Sequence, residues 1–413
     1  MAVQLLPDEL IIEILSMLPA KSLLRCRSVC KCWLNLISST KFKLMHLHNF
    51  NQLNPRYFVR RLLEAEECYD VIFDDEDFTF DDATQIEFPF DPIRINLCFR
   101  IVGCCNGVVC LCDDDGYYTS TSDIVILWNP SIRRKLTLTL PEFDSIELEE
   151  TFVVLGFGYD KMSDDYKVVR LTYPPRSSIR PPQASVHFLF PPMFGKNKLV
   201  HVEVYTVKTG VWRKVMFPDN LRCFYIHYNW SQTFSNGCVH WIASDPTPGV
   251  SFSHRSIMTF DITTELFGEI ELPEFLAEES LRVSVVGESL ALIHSSDLNF
   301  DGLKSGSTYM VMVMKEYKNP ASWTMLYYRH YAEVDLGKPL RLRNNGDMIV
   351  ELENMDLIMI NNNEGYYVYV CRDCVEEDFD CRTYVDRYEE SLALLDVGDS
   401  VPNKEAMEAL MMN

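Results

Sequence analysis

Residues 8–18 place Leu10, Ile11, Ile14, Leu15 and Leu18 at i, i+1, i+4, i+5 and i+8, an apolar stripe along one amphipathic helix. Pro7 suits its first turn, Asp8 and Glu9 suit its positive end, and Pro19 stops it. A second short helix follows over Lys21-Ser22-Leu23-Leu24-Arg25. Ser28 is then placed to cap a third, whose Val29, Trp33, Leu36 and Ile37 recur at helical spacing. Roughly forty residues in three short helices cannot bury all of these apolar side chains against one another. Part of that surface therefore faces a partner, which is either the rest of this chain or another protein.

Beyond residue 50 the pattern changes to short β-branched and aromatic runs separated by Gly, Asn, Asp and Pro, the signature of strands and tight turns. A loose repeat begins at Cys105-Asn106-Gly107-Val108-Val109, continues through Trp128-Asn129-Pro130-Ser131 and ends at Leu138-Thr139-Leu140-Pro141. It recurs as Asn236-Gly237-Cys238-Val239-His240-Trp241, Phe260-Asp261 and Ile270-Glu271-Leu272-Pro273. Weaker copies start near Gly287-Glu288-Ser289 and Asn345-Gly346-Asp347. Four short strands per unit, at a spacing of roughly fifty residues, match the period of kelch-like propeller blades. Blades stacked around an axis bury both faces of each sheet, and about six or seven fit the available length. Two stacked sandwiches would match the strand content but not the repeat. Asn106-Gly107 and Asn236-Gly237 suit hairpins with positive φ, and Trp128, Trp212, Trp241 and Trp323 read as blade cores.

Charge sharpens this division. The 413 residues carry 38 Lys and Arg against 60 Asp and Glu, a net −22. Residues 1–50 have six basic and three acidic groups, leaving 32 and 57 for residues 51–413, so +3 faces −25. So acidic a body repels nucleic acid and anionic lipid and attracts a basic protein. The acids concentrate in residues 64–91, which hold twelve Asp or Glu and no Lys or Arg, interleaved with Tyr69, Phe73, Phe78 and Phe80. Asp74, Asp75, Glu76, Asp77, Asp81 and Asp82 are the candidate contacts for such a partner, the other reading being a solvated loop. A second block runs Asp373, Glu376, Glu377, Asp378 and Asp380.

Motifs for chemistry are missing. There is no P-loop, dinucleotide GxGxxG, GxSxG elbow or HExxH, and Gly156-Phe157-Gly158 lacks the strand-turn-helix context. The nine histidines show no metal spacing, and Cys371-Arg-Asp-Cys374 with Cys381 is a CxxC without a second pair. No cofactor or metal is expected, and no catalysis by the chain itself. The first nineteen residues lack a basic leader and an unbroken apolar core, and no run approaches the roughly 20 apolar residues of a membrane span. A cytosolic protein with access to the nucleus is expected, its 14 cysteines reduced.

LPDELIIEILSMLPAKSLLRCRSVCKCWLNLISS resembles the F-box, the helical motif that binds the Skp-type adaptor of cullin-RING ubiquitin ligases. The resemblance implies adaptor-contacting and core roles for Leu6, Pro7, Leu10, Ile14, Leu15, Leu18, Pro19, Leu23, Arg25, Val29, Cys30, Trp33 and Ile37. CCNGVVCL, ILWNPSIRRKLTLTLP, VLGFGYDKMSDDYKVVRL, VEVYTVKTGVWRKV and SNGCVHWIA resemble the F-box-associated domain of plant F-box proteins. MVMVMKEYKNPASWTMLYYRH and YEESLALL resemble C-terminal segments of S-locus F-box proteins, pollen-side determinants of self-incompatibility whose targets are basic S-ribonucleases. The expected chain is α+β and multidomain. A three-helix F-box occupies 1–48, an acidic connecting segment with the first strands 49–94, an all-β kelch-like propeller 95–395 and a tail 396–413. The implied function is that of a non-catalytic substrate receptor that presents a basic protein, an S-ribonuclease, for ubiquitination. The alternatives are the same architecture serving an unrelated protein or glycoprotein, and an enzyme with polar groups converging on the ring's central mouth. The Pro-rich insertion from Tyr173 to Pro192 is a candidate specificity loop.

Overall fold

The computed structural model describes residues 7–63, 66–75, 78–80, 83–88, 99–113, 124–139, 152–173, 200–226, 232–245, 254–276, 281–300, 303–332, 336–352, 354–371 and 383–396. It opens with four helices, α1 (Asp8–Ser16), α2 (Ala20–Cys26), α3 (Lys31–Ser38) and α4 (Thr40–Leu53). Two details differ from expectation. The cap of α3 is Cys30, whose sulfur accepts from the Trp33 amide at 3.4 Å, while Ser28 turns back to donate to the Arg25 carbonyl at 2.7 Å. A fourth helix is present because Ser39 caps it, accepting from the Phe42 amide, and because Phe42, His46 and Phe50 form one buried row.

Six antiparallel sheets follow. β1 (Arg56–Leu63), β2 (Glu66–Phe73) and β3 (Thr84–Gln85) belong to the first, and β4 (Arg100–Cys105), β5 (Val108–Cys112), β6 (Ile124–Asn129) and β7 (Arg134–Thr139) form the second. The third comprises β8 (Phe152–Asp160), β9 (Asp165–Tyr173), β10 (His201–Thr206) and β11 (Val211–Val215). The fourth holds β12 (Tyr225–Ile226), β13 (Thr233–Ser235), β14 (Cys238–Ser244), β15 (Arg255–Asp261) and β16 (Phe267–Glu271). β17 (Leu281–Val286), β18 (Ser289–Phe300), β19 (Leu303–Met314) and β20 (Trp323–Ala332) make the fifth. β21 (Lys338–Leu342), β22 (Met348–Glu351), β23 (Leu357–Ile360) and β24 (Tyr367–Cys371) make the sixth. The last strand, β25 (Tyr384–Tyr388), returns to the first sheet and pairs antiparallel with β1, so the two ends of the ring share one blade. The strands of residues 56–85 are thus part of the propeller, and the F-box followed by an all-β propeller has six blades.

The turns form as their residues dictate. Asn106 and Gly107 have φ of 47° and 76°, and Asn236 and Gly237 have 51° and 73°, the paired positive values of a tight hairpin. Trp128 is fully buried where blades one and two meet, edge-on to Phe58, Tyr69 and Phe88. Trp241 is buried against blade three, whereas Trp212 and Trp323 are half-buried. Gly156 and Gly158 have a packing role: a methyl group there would lie 2.4 Å from the Trp241 and Phe234 rings respectively.

The axis is stitched by side chains from neighbouring inner strands. The Gln232 amide bonds both the Phe157 N–H (2.5 Å) and its C=O (2.7 Å), lying so close over Gly103 that a methyl group there would sit 2.4 Å from its Nε2 and displace it. Thr233 donates to the Val283 carbonyl, Arg282 to the Leu340 carbonyl, and Arg341 pairs with Asp386 at 3.0 Å. The cavity left among them is about 20 Å³, room for one water. Among the described residues no group of His, Cys, Asp or Glu could hold a metal, and no helix is long and apolar enough to cross a membrane. Cys374 and Cys381 of the CxxC region, and the Pro-rich insertion beyond Tyr173, lie outside the described residues. Cys105, Cys110 and Cys112 are buried thiols, and burial raises the pKa values of Cys105 and Cys110 well above normal.

His240 is fully buried between the Thr233 carbonyl (3.0 Å) and the Tyr317 hydroxyl (2.9 Å), partners that suit a neutral ring donating from Nδ1 and accepting at Nε2. Burial lowers its pKa from 6.5 to about 4. The folded chain then binds fewer protons than the unfolded chain below pH 6.5, so stability falls on acidification. Urea unfolding should show a loss on the order of 3 kcal/mol from this group between pH 6.5 and 4. His240→Gln should flatten that part of the slope, and an unaltered slope would refute the assignment.

Candidate functional site

In α1 the sequence stripe resolves into two adjacent rows with opposite fates. Ile11 and Leu15 face inward, joining Ala20, Leu23, Ile37 and Phe42 in a cluster completed from the far end of the chain by Leu392 and Leu395, and by Ile132 from blade two. Leu10, Ile14 and Met17, at i, i+4 and i+7, lie 45%, 51% and 43% exposed, a row too apolar to face water without a partner. Val29 at 64% adds to the exposed apolar area, as do Leu34 and Leu44.

The thirteen positions singled out from the sequence divide accordingly. Pro7, Leu10, Ile14, Pro19, Arg25, Val29 and Cys30 are exposed, Leu18 and Trp33 are half-buried, and Leu15, Leu23 and Ile37 are buried in the module's own core. Leu6 lies outside the described residues. Pro7 and Pro19, with extended ψ of 143° and 144°, are the N-cap residues of α1 and α2, one position before the first turn expected for Pro7, and neither helix has a side-chain cap. Met17, Leu34 and Leu44 were not foreseen, since they fall between the main apolar positions.

No carboxylate occurs between Glu13 and Glu64, so the module's cations find their counter-ions elsewhere. Arg27 and Lys43 meet Asp396 at 3.5 and 2.5 Å, and Arg56 meets Glu390 at 3.0 Å. Lys21, Arg25, Lys31 and Lys41 remain on the exposed side. His46, fully buried, has Nε2 2.9 Å from the Leu18 carbonyl; burial lowers its pKa, the carbonyl contact opposing that shift.

The acidic candidates are arranged differently from the sequence reading. Arg343, 5% exposed, donates to Asp74 and to the Asp75 carbonyl and lies over the Phe78 ring, while the Asp75 carboxylate accepts from the Phe78 amide. The Asp74 carboxylate is thus taken up by the sixth blade. Glu76, Asp77, Asp81 and Asp82, and the second acidic block, lie outside the described residues.

Residues 3–45 match the F-box domain, and residues 71–394 match the F-box associated beta propeller domain. The chain belongs to this F-box family. Similar proteins include the F-box protein CPR1 of Arabidopsis thaliana, 26% identical over 335 residues, covering 78% of this chain and 72% of that one. An F-box/kelch-repeat protein of the same plant is 24% identical over 400 residues, covering 92% and 94%. Among solved structures, an α-L-arabinanase of Penicillium chrysogenum aligns over 77% of this chain and 81% of that one, with a TM-score of 0.35 and 9% identity. An F-box joined to an F-box-associated propeller is the architecture of a substrate-recognition subunit of SCF ubiquitin ligases, those built on a Skp-type adaptor and a cullin.

The split between rows makes a stability prediction. Ile14→Asp should leave the melting temperature of the chain nearly unchanged, because that side chain already meets water. Leu15→Asp should lower the module's stability by several kcal/mol, as a buried unpaired charge does. Equal effects in a thermal melt would contradict the assignment of the two rows.

Proposed function

We propose that this F-box protein is the non-catalytic receptor of an SCF ligase acting in the cytosol with access to the nucleus, that the exposed row of its helical module docks the adaptor, and that its propeller captures a basic protein. The observation that carries the adaptor side is Leu10, Ile14 and Met17 left in water while Leu15 and its neighbours are buried. Val29, Cys30, Arg25 and the half-buried Leu18 and Trp33 extend the same contact, and Leu15, Leu23 and Ile37 act through the core that supports it. An interface of standard size, roughly 1,600 Å², with a few apolar anchors at its centre suffices for stable assembly.

The cargo side rests on charge: −25 over residues 51–413 favours a cationic partner. Among such partners we propose an S-ribonuclease, as the likeness of residues 310–330 and 388–395 to S-locus F-box proteins implies, with ubiquitination in pollen as the outcome. Holding the cargo beside a ubiquitin-conjugating enzyme makes transfer effectively intramolecular, so positioning is the whole of the receptor's contribution to rate.

Pull-down of a Skp-type adaptor by the full chain tests the first half. Ile14→Asp and Val29→Asp should each weaken capture by about tenfold or more, as loss of a central apolar anchor does, and unchanged capture by both would overturn the docking assignment. Affinity capture from pollen extract tests the second half. The account expects a ribonuclease whose retention falls steeply between low and physiological salt; an unrelated protein in its place supports the same architecture with another cargo, and a flat salt response removes the electrostatic account.

A further inference from the structure

The segment after β25, residues 389–396, has no regular secondary structure beyond a turn, yet Glu390, Ser391, Leu392, Leu394 and Leu395 are all buried. It lies between the helical module and the ring and bonds to both. One oxygen of the Glu390 carboxylate accepts from the Ala20 amide, in the first turn of α2, at 2.5 Å, and the other pairs with Arg56 of β1 at 3.0 Å. The Glu390 main chain is held by Asn51 of α4, whose side chain accepts from its N–H at 2.8 Å and donates to its C=O at 3.0 Å. On the ring side the Asn129 amide reaches the Ser391 carbonyl and hydroxyl at 3.1 Å each and the Ala393 carbonyl at 2.9 Å, while Ser131 meets Tyr388 and the Ser391 amide. Leu392 and Leu395 enter the module's core, and Asp396 pairs with Lys43 and Arg27.

These contacts are unlike a solvated linker. Helix α4 runs to Leu53 and β1 starts at Arg56, so the direct covalent link is two residues and could act as a hinge. The strap bridges that hinge with a buried carboxylate whose two oxygens have one partner on each side. A buried carboxylate with fixed partners tolerates little displacement, because each partner lost leaves a polar group desolvated and unpaired.

We propose that residues 388–396 form a strap that fixes the angle between the helical module and the propeller, with Glu390 as its positioning residue. This deepens the receptor reading and rests on it for one consequence: a fixed angle limits which surface of a captured cargo faces the conjugating enzyme, so the strap selects the lysines modified. Glu390 is buried between its two partners and acts by holding α2 and β1 at one separation.

The test uses the full chain with Glu390→Ala, the conservative Glu390→Gln, and Asn129→Ala as an independent cut on the ring side. Hydrogen exchange read by mass spectrometry should show amides of residues 15–26 and 45–58 exchanging about tenfold faster or more in Glu390→Ala, with intermediate protection in Glu390→Gln, which keeps an acceptor for Ala20. Blades three to five should be unchanged. This arm needs no adaptor, so it stands or falls independently of the receptor reading. In the reconstituted ligase, Glu390→Ala should keep adaptor and cargo affinity while ubiquitin spreads to more lysines at a lower rate. Unchanged protection of the module in both Glu390→Ala and Asn129→Ala overturns the proposal. Faster exchange throughout the blades overturns it equally, since the segment would then serve the propeller's own stability, and an unaltered lysine pattern despite a loosened module overturns its consequence for cargo.

Discussion

Five residues of β25 pair with five of β1, from Arg56 opposite Tyr388 to Arg60 opposite Tyr384, and the rest of the molecule depends on that antiparallel contact. A ring of blades made from one chain has two loose ends, and hydrogen-bonding the last strand beside the first removes both at once. It also fixes where the chain goes next. Since β1 follows the helices and β25 lies against it, the residues after Tyr388 are delivered to the underside of the helical module, where Leu392 and Leu395 complete its core.

The division of apolar surface follows. Short helices cannot bury themselves, and the sequence left two solutions open, docking on this chain or on another protein. The structure shows the first on one row of α1 and leaves the other row in water: Ile11 and Leu15 take the intramolecular solution, and Leu10 and Ile14 stay exposed. Charge divides likewise: Asp396 neutralises the module's inner cations Arg27 and Lys43, leaving an outer surface with Lys21, Arg25 and Lys31 beside an acidic ring.

Much of this was legible locally. Asn-Gly pairs specify hairpins because few other residues accept positive φ, and they marked inner strands of blades two and four. The fold class and the F-box followed from periodicity and motif. The fourth helix was hidden because His46, a polar residue, occupies the centre of its buried row, satisfied by the Leu18 carbonyl from another helix. The strap was hidden because its burial depends on partners more than 250 positions distant, which no local pattern encodes. Asp74 stood out as a charged candidate, and only the tertiary structure reveals Arg343 against it. Gly156 and Gly158 resembled a fragment of a nucleotide motif, but their neighbours are aromatic rings.

If an exposed apolar row is what this protein offers its adaptor, association must remove that surface from water, and the heat capacity change is the signature of that event. Titration calorimetry of the full chain with a Skp-type adaptor across several temperatures measures it. The account predicts saturable one-to-one binding with a clearly negative heat capacity change that Ile14→Asp makes smaller in magnitude. Binding with a heat capacity change near zero, or no binding at all, would contradict it.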